Sequence, residues 1–216
     1  MSKKGSIFID GLESYIDVNL ISRPFSIMKE VEEYAKNKQI PILSPMSGNI
    51  LSYLVSITNS TNILELGTGI GYSTLWMMST KKSLKITTID RNQDDQKIAE
   101  QFIFKIKAPN QEIRFIHAQC LEYCKTHELD SYDFIFIDCD KIVYPELLDV
   151  LISKINPNVR LLFDNVLWHG RLMKVSEENL KPSDIAIKDF WNKIISQNIE
   201  NILFPSGDGL LLIGVR

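Results

Sequence analysis

Between residues 62 and 164 the chain repeats one pattern: a short run of β-branched and aromatic residues, then a stretch long enough for a helix and its turns. The runs are 62–66, 85–90, 112–117, 132–138 and 158–164. Strands joined by crossovers of that length pair in parallel, and a parallel sheet needs helices on both faces. The pattern therefore predicts an α/β fold with a mostly parallel sheet. Two last runs, 199–204 and 209–215, flank the short connection Pro205-Ser206-Gly207-Asp208. So short a link makes a hairpin, and the final strand is expected to run antiparallel to its neighbour.

Helical patterns surround this core. Residues 11–20 read as a helix, and a second segment is opened by Pro24 at a first-turn position, with Ile27, Val31 and Ala35 on one face. Ser44 before Pro45 is a cap and first-turn pair, followed by the apolar stripe Ile50, Leu51, Leu54 and Val55. A further helix is expected near 185–197. With 216 residues and 44% hydrophobic content, one core can be buried in a single domain, residues 1–57 forming a helical cover and 62–216 the sheet.

The charge balance excludes some functions. Twenty-four Lys and Arg against 27 Asp and Glu give a net charge of -3, no basis for gripping nucleic acid. No apolar run is long enough to span a membrane, and the first residues, Met1 to Ser6, lack the apolar stretch of a secretory signal, so the expected location is the cytoplasm. Cys120, Cys124 and Cys139 have no CxxC spacing and read as small buried hydrophobes. His117, His127 and His169 have no zinc-type spacing, so a metal here would be held by oxygen.

The strand 62–66 runs into Gly67-Thr68-Gly69-Ile70-Gly71, which lets backbone approach a ligand with no Cβ in the way. A tight strand-to-helix turn without a ligand would use the same glycines. The dinucleotide fingerprint requires a glycine at position 72, which is Tyr72. Asp90 ends the second strand, where a carboxylate can accept hydrogen bonds from both hydroxyls of a ribose or can cap the following helix.

Strands four and five end in Asp138-Cys139-Asp140-Lys141 and Asp164-Asn165. Ligands of open α/β sheets bind beyond the carboxyl ends of the strands, so Asp138, Asp164 and Asn165 meet near the glycine turn. Three oxygen donors gathered there suit Mg²⁺, Mn²⁺ or Ca²⁺; alternatively both aspartates cap the next helices. A cation lowers the pKa of a bound hydroxyl, which favours chemistry at oxygen. Lys141, three residues beyond Asp138, would have its pKa lowered by that cation and by burial, as a catalytic base requires, unless it is a surface lysine.

Together these residues resemble the cation-dependent O-methyltransferases related to catechol and caffeoyl-CoA O-methyltransferases, the bacterial family 3 branch of the class I methyltransferases. The resemblance runs from Ser44-Pro45-x-x-Gly48 through Glu65-x-Gly67-x-Gly69-x-Gly71-Tyr72-Ser73 and Asp138-x-Asp140-Lys141 to Asp164-Asn165-x-x-Trp168-x-Gly170 and the closing hairpin. It implies a Rossmann-like sheet of seven strands, S-adenosylmethionine as cofactor, a divalent cation on Asp138, Asp164 and Asn165, Lys141 as base with Asp138 in the catalytic set, and a homodimer touching through the N-terminal helices. Cofactor contacts are implied for Leu43, Glu65, Gly67, Thr68, Gly69, Tyr72, Ser73, Asp90, Arg91, Ala118, Gln119 and Asp138. The chain departs from the family at Ala118-Gln119-Cys120, where Gly-x-Ala is usual, and has Pro41-Ile42 in place of the Met-Asn pair of the animal catechol enzymes.

The implied reaction methylates a small acceptor with adjacent hydroxyls. The long connection 166–184, with Trp168, His169, Arg171 and Pro182, is expected to form a lid or substrate wall, in which Trp168 packs on the acceptor or serves the core. A metal-assisted hydrolase, a nicotinamide-dependent oxidoreductase and a non-catalytic binding protein are the rival readings.

Overall fold

The computed structural model describes residues 9–80, 83–171 and 180–214. Three helices come first, α1 (Leu12–Asn19), α2 (Ile27–Lys38) and α3 (Pro45–Ile57). The core then alternates β1 (Asn62–Leu66), α4 (Tyr72–Met78), β2 (Leu84–Asp90), α5 (Gln93–Phe104), β3 (Gln111–His117), α6 (Cys120–Thr126), β4 (Phe134–Ile137), α7 (Tyr144–Lys154) and β5 (Arg160–Phe163). Helix α8 (Pro182–Ser196) leads to the hairpin β6 (Asn201–Phe204) and β7 (Leu210–Ile213). None of these helices is long and apolar enough to cross a membrane.

The seven-stranded sheet has the order β3-β2-β1-β4-β5-β7-β6. β1 to β5 are parallel, and β7 lies antiparallel between β5 and β6, as the hairpin predicts. Successive side chains of a strand point to opposite faces, and the central strands β4, β5 and β7 supply an apolar residue at nearly every position. Ile63, Phe134 and Phe136 pack with α2 to α5, while Leu64, Ile135 and Ile137 pack with α6, α7 and α8. The chain moves outward from β1 through β2 to β3, then returns to start β4 on the other side of β1. That reversal opens a crevice at the carboxyl ends of β1 and β4.

Two expectations change. Pro24 does not open α2, which starts at Ile27. The Arg23 guanidinium donates to the carbonyl oxygens of Asp17 and of Ile21, the latter at 2.6 Å, and pairs with Glu32 at 2.7 Å, holding the linker out of helical form. Helix α1, expected as part of the helical cover, buries none of its residues and packs against α3. The cap at Ser44 is present: its side chain accepts the Ser47 N–H at 3.1 Å, with Pro45 in the first turn. Of the expected wall 166–184, residues 172–179 lie outside the described residues; the rest contains a 3₁₀ turn at Trp168–Gly170 and the start of α8.

Candidate active site

The glycine turn leaves β1 directly against the end of β4. Gly67 has φ 110° and donates its N–H to the Ile89 carbonyl at 2.9 Å, and Gly71 (φ 83°) caps α4. Asp90 holds the turn from the β2 side, its carboxylate accepting the N–H of Gly69 and of Asn92, each at 2.8 Å. The helix that follows is capped instead by Asn92, whose side chain accepts the Asp94 and Asp95 N–H groups, so the capping role read for Asp90 falls to its neighbour.

Two cavities flank this turn. One, of about 330 Å³, is walled by Leu43, Gly67, Thr68, Gly69, Tyr72, Ser73, Asp90, Asp138, Lys141, Asp164 and Asn165. The other, of about 220 Å³, lies on the far side of Gly67, Asp90 and Asp138 and is walled also by Arg91, Gln119, Cys120 and Cys139. Nearly all the expected cofactor residues therefore meet at one crevice. Ala118 stands just behind, its N–H donating to the Asp90 carbonyl at 3.0 Å. Arg91 pairs with Asp140 at 3.2 Å across the second cavity, an exposed pair that contributes little to stability.

Glu65 is not a wall residue. It is fully buried beneath the turn and accepts hydrogen bonds from Ser73 Oγ and Thr74 Oγ1, each at 2.6 Å. Its role in the structure is to fix the first turn of α4 and hence Ser73. Burial pushes its carboxyl up to about 7, against the opposing hydrogen bonds of Ser73 and Thr74. A carboxyl raised in the folded state favours the protonated fold, so stability is full below the ordinary value of 4.5 and is lost as pH rises through about 7. Glu65→Gln is expected to flatten that decline; equal slopes for parent and variant in urea unfolding across this range would show that Glu65 is already ionised in the fold.

The β4 and β5 ends are stitched by Tyr144, fully buried, whose hydroxyl donates to the carbonyls of Ile137 at 3.1 Å and Asp164 at 2.9 Å. This brings Asp138 and Asp164 to one wall. Asn165 follows in the left-handed region (φ 56°) and donates its N–H to Asp164 Oδ1 at 2.7 Å. Burial and the nearby Asp138 push the Asp164 carboxyl up to about 8.

Lys141 is held within this wall and is not a surface lysine. It is buried, and its Nζ donates to Asp138 Oδ1 at 2.6 Å and to the Cys139 carbonyl at 3.1 Å. Burial alone would lower its pKa, but Asp138 and Asp164 together outweigh that effect and raise it. As it stands, Lys141 is a charged ion-pair partner.

Several contacts were not legible in the sequence. Tyr72 donates its hydroxyl to Glu32, which also pairs with Arg23, so the N-terminal helices are tied to the first turn of α4. Thr68 is hydrogen-bonded to Thr88 at 2.7 Å and receives Gln96 Nε2 at 3.1 Å. Trp168 turns away from the crevice, donating Nε1 to Asp184 Oδ1 at 2.7 Å, while Arg171 pairs with the same carboxylate; this is the core-serving reading of Trp168. Beyond Asp164 and Asn165 opens a third cavity of about 880 Å³, floored by Pro41, Ile42, Leu43 and Leu167 and edged by Glu13, His169 and Asp208. The Gly-Asp-Gly run in the hairpin link was the available signal for Asp208.

A doubly wound sheet with a glycine turn, the Asp90 carboxylate and flanking cavities at the β1/β4 crevice is the arrangement of a class I methyltransferase. The chain belongs to the O-methyltransferase family, whose sequence model matches residues 21–215. It is 30% identical to the tapetum-specific methyltransferase 1 of Arabidopsis thaliana, with 97% of this chain and 95% of that protein aligned. It is also 30% identical to caffeoyl-CoA O-methyltransferase 2 of Petunia hybrida, over 94% and 89% of the two chains. Among solved structures, the O-methyltransferase from Bacillus cereus in complex with SAH superposes with a TM-score of 0.77 at 25% identity, covering 94% of this chain and 96% of that one.

Proposed function

We propose that the chain methylates a hydroxyl of a small acceptor bearing adjacent hydroxyls, using S-adenosylmethionine and a divalent cation. The observation that carries this reading is that Asp138, Lys141, Asp164 and Asn165 share one cavity wall with the glycine turn and Asp90. Asp138, Asp164 and Asn165 are hard oxygen donors, and the two carboxylates outweigh the single charge of Lys141. That surplus fits a divalent cation. No group of three His, Cys, Asp or Glu positioned for a metal occurs among the described residues.

When bound, the cofactor supplies a methyl group on a sulfonium and the cation acidifies an acceptor hydroxyl. The chain's own residues do the rest. Asp90 would accept from the ribose, Ser73 and the backbone of Gly67 to Gly69 would hold the amino-acid end, and Gln119 and Arg91, which line the second cavity, would hold the base. Lys141, neutral only when its two carboxylates are engaged elsewhere, takes the hydroxyl proton at Nζ. Most of the acceleration is assigned to holding nucleophile and methyl group in line.

The test is transfer of label from S-adenosylmethionine to ortho-dihydroxy aromatics, with Mg²⁺ and again with a chelator. Transfer abolished by the chelator supports the proposal; transfer indifferent to it removes the cation. Product formed without S-adenosylmethionine would instead favour a hydrolase. Asp90→Ala is expected to weaken cofactor binding by roughly 1.5–3 kcal/mol, the range for a charge-assisted hydrogen bond, or about 10- to 150-fold. Calorimetric affinity equal to the parent's would take Asp90 out of the pocket.

A homodimer completes the proposal. Helix α1 leaves Tyr15 and Val18 exposed, with Leu20 just beyond it, an apolar edge suited to a second copy. Light scattering should give twice the chain mass, falling to one chain in Val18→Glu; a monomeric parent refutes it.

A further inference from the structure

Building on the methyl-transfer reading, we propose that the acceptor is neutral or cationic at the end remote from its reacting hydroxyls, and that Asp208 selects for this. The acceptor-side cavity of about 880 Å³ has Glu13, Asp164 and Asp208 as its charged lining, with His169 beside them. Among the described residues no Lys or Arg lines it. With Asp164 assigned to the cation, Glu13 and Asp208 remain as fixed negative charge facing the acceptor.

Acidic side chains gathered at a surface are ordinarily just solvated, and Glu13 is exposed. Asp208 is different. Its side chain is only 10% exposed, and Oδ1 accepts the backbone N–H of His169. Oδ2 is buried and makes no hydrogen bond among the described residues; what covers it is the ring of His169, itself 71% exposed, whose Nδ1 lies 3.2 Å away and pairs with it only when protonated. A buried carboxylate oxygen without a donor is unfavourable unless a ligand supplies one. An ammonium or N–H group on the acceptor would do so once the exposed His169 ring turns aside.

The carboxylate is also held in place in advance. Leu167 N–H donates to the Asp208 carbonyl at 2.9 Å, and Val166 N–H to that of Gly209 at 3.2 Å. Ser206, next to the turn, is bonded to Ser47 Oγ at 3.0 Å. Selection therefore requires no rearrangement of the hairpin. The converse follows from the same charges: a polyphosphate acceptor such as a coenzyme A thioester would bring negative charge to a lining of like sign.

The experiment is calorimetric titration of the chain, loaded with S-adenosylhomocysteine, with a dihydroxyphenyl ethylamine and with the matching dihydroxyphenyl acetate, which differ in terminal charge. The amine is expected to bind at least about tenfold more tightly, one decade of affinity. Asp208→Asn should bring the two ligands to near equality, and Glu13→Gln, an exposed position that does not endanger folding, should narrow the ratio. Equal or tighter binding of the acetate, or an unchanged ratio in both variants, overturns the proposal. Chelator-sensitive methylation of uncharged dihydroxybenzene, run in parallel, judges the underlying reaction separately, because the binding comparison, made with Mg²⁺ present, needs no turnover.

Discussion

Asp164→Ala is expected to abolish cation-stimulated methyl transfer while leaving cofactor affinity nearly intact. A cation stabilises developing charge by several kcal/mol, and at about 1.4 kcal/mol per decade a loss of about 4 kcal/mol is roughly a thousandfold in rate. The structure separates this role from a capping role. Asp164 is 3% exposed and its carboxyl is raised chiefly by burial, so in cation-free protein its charge is a burden on the fold. Its backbone carbonyl, which receives the Tyr144 hydroxyl, survives the substitution. In chelator the variant should melt no lower than the parent; with Mg²⁺ it should lack the parent's gain in melting temperature. A variant that melts lower yet keeps its response to Mg²⁺ would mark Asp164 as a structural cap and sink the cation site.

The parts of this molecule that were legible in sequence are those written in local pattern. β4 is apolar at every position, and its two faces serve two helical layers, which is why the run around Phe134 could be read as a buried parallel strand. The strand nevertheless stops at Ile137, so Asp138 lies just beyond it, free to face the crevice. Ser44 and Asp90 were legible for the same reason, as chain-end chemistry within a few residues.

What escaped depends on contacts between distant segments. Nothing near Tyr72 announces Glu32, 40 positions away, and nothing near Trp168 shows whether its indole will face an acceptor or Asp184. Lys141 is the instructive case. Its spacing from Asp138 was legible, but the direction of its pKa depends on which charges surround it, a balance of burial against two carboxylates that only assembly decides. Asp208 sits in a connection whose length fixed the hairpin while leaving its side chain's surroundings unspecified.

The glycine turn shows the same limit and yields the largest expected effect on stability. In the sequence, Gly67 and Gly69 are equivalent members of one spacing. In the structure a Cβ on Gly67 would fall 2.1 Å from the Asp138 carbonyl oxygen and 2.7 Å from its carbon, whereas one on Gly69 would meet nothing within 4 Å. The obstacle at Gly67 is backbone, held by Asp138 N–H donating to the Leu66 carbonyl at 2.8 Å, so no side chain can swing aside. Both glycines have positive φ, 110° and 50°, and each substitution carries that penalty. Gly69→Ala should therefore lose only about 1–2 kcal/mol, while Gly67→Ala adds overpacking for a total of about 3–5 kcal/mol. To relieve the clash, β4 must move away from β1, carrying Asp138 and with it Lys141, so cofactor affinity should fall along with stability. Urea unfolding and cofactor calorimetry on the two variants compare them directly. If Gly67→Ala proves no more damaging than Gly69→Ala, the close approach of β1 and β4 at this crevice is not what positions the site.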